Sequence, residues 1–123
     1  MNILVAEDSV AYAVLYQEIF QSKGHSIKLT LDGEECLTEY AKTVYDMVIL
    51  DYNMPKKNGF DTAKEILAAK PGQPILFISS FGDELESKIQ ETGWSNVQVM
   101  EKPFSAISLV NKVEGCIKNP LIQ

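Results

Sequence analysis

Met47–Pro55 has the sequence MVILDYNMP, and this stretch decides the fold of the chain. Four apolar residues run directly into Asp51, and turn-forming residues follow up to Gly59. A short, fully apolar run that is bounded by turn signals indicates a strand buried on both faces of a parallel sheet. Ligands bind at the carboxyl ends of the strands in open α/β sheets, so Asp51 is predicted to lie at a ligand-binding edge.

Four further stretches have strand patterns of two kinds. Ile3–Ala6 and Ile75–Ile78 are continuously apolar, so we expect them in the centre of the sheet beside Met47–Leu50. Ser26–Leu31 and Val97–Met100 alternate apolar with polar residues. Alternation indicates one wetter face, so these two stretches are predicted to be the edge strands.

Helical patterns separate the five strands. The first predicted helix follows Ser9, with Ala11, Leu15 and Ile19 at helical spacing and Val14 and Phe20 beside them. The last begins near Phe104 and carries Ile107, Val110, Val113 and Ile117 on its apolar face. The other three cover residues 34–42, 60–70 and 83–92. Strands that alternate with helices predict an α/β fold, a doubly wound five-stranded parallel sheet in the flavodoxin-like order 2-1-3-4-5.

Length and charge limit the function classes. With 123 residues, we expect one domain over residues 1–123 and no output domain. A net charge of −6 argues against a nucleic-acid partner. No apolar run approaches the roughly 18 residues of a membrane span. The start of the chain lacks the basic segment of a signal peptide, so a cytoplasmic location is expected.

Polar side chains follow the strands that flank the crevice predicted between the first and third strands. Three carboxylates that lie together repel one another unless a positive charge lies among them. A hard divalent cation with oxygen ligands meets this need, and Mg²⁺ suits it because it also accepts a phosphate oxygen. A lysine adds a mobile positive charge. The residues at these strand ends are Glu7, Asp8, Asp51, Ser79 and Lys102.

This combination of groups suits phosphoryl transfer. The transferred group and the attacking carboxylate are both anionic, so a metal ion and Lys102 would offset their repulsion. Asp51 would be the nucleophile, and the product would be an aspartyl phosphate.

Taken together, these motifs resemble the receiver domain of response regulators in two-component signalling, over essentially the whole chain. Each motif alone is weak, but their order and their places at the strand ends make the combination specific. The motifs are Glu7-Asp8, Asp51–Pro55 with Gly59, Ser79, and Lys102-Pro103-Phe104.

The resemblance implies a role for each site residue. Asp51 would be the phosphoacceptor, and Ser79 and Lys102 would contact the phosphoryl oxygens. The peptide bond before Pro103 would be cis. The implied Mg²⁺ ligands are Asp8, Asp51, the backbone carbonyl of Asn53 and, through water, Glu7.

The resemblance also implies partners. A histidine kinase or phosphotransfer protein would supply the phosphoryl group, and a downstream protein effector would respond in trans. Many receivers pair through the fourth helix, fifth strand and fifth helix, so a homodimer through that face is a further expectation. Val99 stands where the family usually has a switching Tyr or Phe. Phe81 and Trp94, which flank the fourth helix, complete the residues assigned to the switch and partner face.

Two other functions are compatible with parts of the pattern. A Mg²⁺-dependent hydrolase with an aspartyl-phosphate intermediate, of the haloacid-dehalogenase type, usually has a second Asp where this chain has Asn53. A receiver-like module that binds a partner without phosphorylation is favoured by Val99 but disfavoured by the complete set of acid, hydroxyl and lysine. The sequence therefore predicts a signalling receiver that catalyses only its own phosphorylation and dephosphorylation.

Overall fold

The computed structural model describes the backbone of residues 1–80 and 82–122 and the side chains of residues 1–80, 82 and 84–115. Phe81, which the sequence assigns to the partner face, lies outside the described residues. Strands and helices alternate along the chain. They are β1 (Asn2–Ala6), α1 (Val10–Ser22), β2 (Ser26–Thr30), α2 (Gly33–Tyr40), β3 (Met47–Asp51), α3 (Gly59–Ala69), β4 (Ile75–Ser79), α4 (Gly82–Thr92), β5 (Val97–Glu101) and α5 (Ala106–Ile122).

The five strands form one parallel sheet in the order β2-β1-β3-β4-β5. This order confirms the predicted doubly wound topology, with the two alternating stretches at the edges. In the described part of the chain, no helix has the length and hydrophobicity needed to cross a lipid bilayer.

The central strands are buried on both faces because helices cover both sides of the sheet. Every residue of β3 and β4 is buried, whereas β5 is half-buried or exposed along its length. Alternate side chains of β3 point to opposite faces, so they enter two different core layers. Leu50 packs in the layer that includes Ile66 and Leu85, and Ile49 packs in the layer that includes Phe20 and Leu109.

Short polar side chains fix where three helices begin. The side chains of Ser9, Asp32 and Asn58 each accept a hydrogen bond from a backbone N–H in the first turn of α1, α2 and α3. Such caps satisfy donors that the helix itself leaves without a partner. The caps at Ser9 and Asn58 follow β1 and β3, so they also fix the chain direction just beyond the predicted site.

Two predicted helix faces are only partly correct. The buried residues of α1 are Ala13, Tyr16 and Phe20, whereas Ala11 and Leu15 are exposed. The aliphatic pattern did not indicate Tyr16, because a tyrosine can be fully buried when its hydroxyl has a polar partner. In α5 the predicted Val110 and Val113 are buried, together with Leu109, whereas Ile107 is 75% exposed. The side chain of Ile117 lies outside the described residues.

The corrected face of α5 predicts unequal effects of two similar truncations. Leu109→Ala is expected to lower the free energy of unfolding by about 2–5 kcal/mol, because it leaves a cavity in the core. Ile107→Ala is expected to change it by less than about 0.5 kcal/mol, because its side chain is exposed. Urea unfolding of both variants measures the difference, and equal losses would contradict the assigned face.

Candidate functional site

Three carboxylates meet where β1 and β3 end. Ala6 of β1 pairs with Leu50 of β3, so the residues that follow, Glu7 and Asp51, come to the same edge of the sheet. Each of Glu7, Asp8 and Asp51 offers an oxygen, and these oxygens lie within 4.8 Å of one another. Glu7 is 1% exposed and Asp51 is 7% exposed, whereas Asp8 is exposed to solvent. The structure therefore brings together the three acids that the sequence predicted to meet.

Lys102 reaches this acidic cluster from the far side of β4. Its Nζ lies 3.1 Å from Oε1 of Glu7 and 3.5 Å from Oδ2 of Asp51. Its backbone N–H donates to the carbonyl of Ser79, and the peptide bond to Pro103 is cis, as the resemblance implied. Burial lowers the pKa of the Lys102 ammonium, but the Glu7 and Asp51 carboxylates outweigh it and raise that pKa overall. The lysine is therefore held in its charged form between two buried acids.

The environment of Asp51 favours protonation in the absence of further positive charge. Burial, and then the adjacent Glu7 carboxyl, raise the pKa of Asp51 to about 7. The Lys102 ammonium and the N–H of Asn53 oppose this rise. The Asn53 N–H donates to Oδ1 of Asp51 over 3.4 Å, while Lys102 contacts Oδ2. The two oxygens of the carboxylate thus have different partners.

Ser79 ends β4 next to the acidic cluster. Its neighbour Ile78 pairs with Asp51, and Ser79 itself is fully buried. The register therefore places Ser79 at the same edge of the sheet as Asp51. The proposed role of its hydroxyl, like that of the Asn53 carbonyl, stays a prediction.

Aromatic residues on α1 that the sequence motifs do not include line one side of the site. Tyr16 is buried, and its hydroxyl donates to Oε1 of Glu7 over 3.2 Å. The ring of Tyr12 lies 4.1 Å from Nζ of Lys102, a cation–π distance. The Phe104 ring packs against both tyrosines, at 5.8 Å from Tyr12 and 5.9 Å from Tyr16. The four-residue spacing of the tyrosines, just after Glu7-Asp8, was the available signal, because it places both on one helix face.

Gly59 lets α3 begin against the end of β3. A Cβ at this position would lie 2.4 Å from the carbonyl oxygen of Asp51 and 3.0 Å from Cα of Tyr52. The Gly59 N–H donates to the carbonyl of Tyr52 over 2.9 Å. The loop after Asp51 is therefore closed by a backbone approach that a side chain would prevent.

The other residues assigned to the switch and partner face lie away from the acidic cluster. Val99 is half-buried in β5 and packs against the core layer beneath α4. Trp94 follows α4, and its ring lies 5.2 Å from that of Phe60 in α3. Trp94 therefore contacts the protein interior, and its role in partner binding stays a prediction.

Known proteins with similar sequences and structures match nearly the whole chain. The family model described as "Response regulator receiver domain" matches residues 3–114. The transcriptional regulatory protein RprY of Bacteroides fragilis is 34% identical over 119 residues, which cover 96% of this chain and 50% of RprY. The chain spans about half the length, or less, of the curated relatives it matches.

Solved structures agree in fold. The receiver domain of the Francisella response regulator 1452 is 26% identical and superposes with a TM-score of 0.83, covering 97% of this chain and 98% of that one. The chemotaxis protein CheY4 of Vibrio cholerae is 24% identical and has a TM-score of 0.86, with 94% and 97% covered.

The contacts of Glu7 predict different effects for the two tyrosines. Tyr16→Phe is expected to lower the free energy of unfolding by about 1–2 kcal/mol, because a buried carboxylate loses a hydrogen-bond donor. Tyr12→Phe keeps the ring that faces Lys102 and is expected to change it by less than about 0.5 kcal/mol. Urea unfolding at neutral pH measures both, and a larger loss in Tyr12→Phe would contradict this account.

Proposed function

The chain belongs to the response-regulator receiver family, and from this premise we propose that it is a signalling receiver phosphorylated on Asp51 with the help of Mg²⁺. The observation that carries the proposal is the position of Lys102, which contacts Glu7 and Asp51 inside the acidic cluster. If Lys102 only balanced charge, contact with one of the two acids would be enough. Contact with both places a positive charge beside the oxygen where a phosphoryl group would attach.

The donor set of the acidic cluster fits Mg²⁺. All three side chains offer hard carboxylate oxygens within 4.8 Å of one another, and Asp8 is exposed to solvent. In the proposed site Asp8, Asp51 and the Asn53 carbonyl hold the ion directly, and Glu7 holds it through water. When bound, the ion supplies positive charge against the phosphoryl oxygens and the acids.

The residues of the chain then have separate tasks in phosphoryl transfer. A carboxylate oxygen of Asp51 attacks phosphorus, so an O–P bond forms as the P–N bond of a phosphohistidine donor breaks. Lys102 neutralises charge on the phosphoryl oxygens, and the Ser79 hydroxyl donates to one of them. Glu7, held by the Tyr16 hydroxyl and the Ser9 N–H, keeps Lys102 beside Asp51.

The proposed partners follow from the same family. The donor is a histidine kinase or a phosphotransfer protein, the effector is a protein that responds in trans, and the compartment is the cytoplasm. A homodimer would use the face formed by α4, β5 and α5. Val99 has no ring to move inward, so we propose that the response to phosphorylation does not depend on an aromatic residue at this position.

Phosphorylation of Asp51 is testable by intact mass. With Mg²⁺ and acetyl phosphate, the protein is expected to gain one phosphoryl group. Asp51→Asn is expected to gain none, because its amide replaces the nucleophilic carboxylate. Asp61→Asn, the same change at an exposed position on α3, should behave like the unmodified protein.

Lys102→Ala should keep Mg²⁺ binding but lose the change in the protein's spectrum that phosphorylation causes.

The same experiment separates the proposal from its main alternative. If no adduct forms with acetyl phosphate or with candidate kinases, the chain is a phosphorylation-independent interaction module. If the adduct forms equally in Asp51→Asn, the assigned acceptor is wrong.

The raised pKa of Asp51 predicts that Mg²⁺ binding depends on pH. Because a proton competes with the metal for this carboxylate, the apparent affinity is expected to fall as pH drops below about 7, by up to about tenfold per unit. Above that pH the affinity should level off, because the carboxylate is then already ionised. Calorimetric titrations between pH 5.5 and 8.5 measure this, and a constant affinity would refute the expectation.

A further inference from the structure

A second concave site lies between α3 and α4, apart from the acidic cluster. Its volume is about 640 Å³, within the range of roughly 300–1,000 Å³ that is typical of small-molecule pockets. Phe60 and Leu67 of α3 form one wall, and Trp94, just after α4, forms another. We call this site the α3–α4 cleft.

The cleft has an aromatic wall that suits a planar ligand. The rings of Phe60 and Trp94 lie 5.2 Å apart with an angle of 39° between their planes. Both residues are only half-buried, so parts of both rings face the cleft. Aromatic faces of this kind pack favourably against a flat apolar group.

The rim of the cleft is positively charged although the protein as a whole carries −6. Nζ of Lys88 lies 5.2 Å and Nζ of Lys64 lies 6.0 Å from the centre of the Phe60 ring. Among the described residues, neither lysine has a carboxylate within 4.0 Å, and Lys88 donates instead to the Tyr52 hydroxyl. Among the residues that line the cleft, two ammonium groups face one carboxylate, that of Glu91. The Glu84 and Asp61 carboxylates act on Lys88 from outside the cleft.

We propose that the α3–α4 cleft binds a small planar carboxylate, an aromatic acid whose ring packs against Phe60 and Trp94. Its carboxylate lies between the ammonium groups of Lys64 and Lys88. The volume suits one or two rings, and the excess of positive charge at the rim selects an anion over a neutral or cationic molecule. This binding does not require phosphorylation of Asp51.

The experiment uses Trp94, the single tryptophan of the chain, as its reporter. Cinnamate is titrated into ¹⁵N-labelled protein, and cinnamamide, its neutral counterpart of the same shape, is the control ligand. Cinnamate is expected to shift the indole N–H signal of Trp94 saturably. Cinnamamide is expected to bind several-fold more weakly because it lacks the charge.

Variants of the residues at the rim test the sign of the ligand's charge, because removing a positive charge and removing a negative charge should change the affinity in opposite directions. Lys64→Gln is expected to weaken cinnamate binding by about two- to fivefold, and Glu91→Gln is expected to strengthen it by a similar factor. Lys28→Gln, on β2 at the opposite edge of the sheet, removes the same charge far from the cleft and should leave binding unchanged.

Three results would overturn the proposal. They are the absence of a saturable shift, equal affinities for cinnamate and cinnamamide, and the same direction of change in Lys64→Gln and Glu91→Gln. All titrations are repeated in Asp51→Asn, so a failure of phosphorylation and a failure of this site are read separately.

Discussion

The site depends on one arrangement of charges, two carboxylates buried at the end of a parallel sheet with a lysine between them. Burying Glu7 and Asp51 together is costly unless positive charge and hydrogen-bond donors lie beside them. Lys102 supplies the charge, and Tyr16 supplies a hydroxyl to Glu7. The strand order is what makes this possible, because it puts the ends of β1 and β3 side by side and lets the residue after β5 reach them across β4.

Much of this arrangement could be predicted from the sequence because parallel strands share one direction. Once the apolar runs before Glu7 and Asp51 are identified as strands, their polar ends must lie at the same edge. Lys102 followed from the same reasoning and from the adjacent proline. The face of α1 could not be predicted in this way, since Tyr16 carries both the ring that enters the core and the hydroxyl that contacts Glu7. Aliphatic periodicity ignores such a residue, and Ile107 was misplaced in α5 by the same rule.

The residues that hold the site in place come from outside the motifs. The motifs include the acids, the hydroxyl and the lysine. The position of the Tyr12 ring against the Lys102 ammonium depends instead on where α1 packs. A lysine side chain has a flexible four-carbon stem, so it loses much conformational entropy when it is fixed. Contacts on two sides, with carboxylates and with an aromatic face, restrict Lys102 before any phosphoryl group arrives. The chemistry expected of Lys102 therefore depends on tertiary packing as much as on its place after β5.

A side-chain contact joins the loop after Asp51 to α4. Tyr52 follows Asp51 directly, and its hydroxyl accepts a hydrogen bond of 2.9 Å from Lys88, whose Nζ also lies 5.5 Å from the Tyr52 ring centre. Val99 has no ring that could make the inward movement usual in this family. The Tyr52–Lys88 contact does not depend on an aromatic residue at position 99. The same ammonium lines the α3–α4 cleft, so the proposed anion would compete with Tyr52 for Lys88. If the cleft binds an anion as proposed, a change in the loop after Asp51 and the charge in the cleft would act on one lysine, and the two sites would be coupled reciprocally.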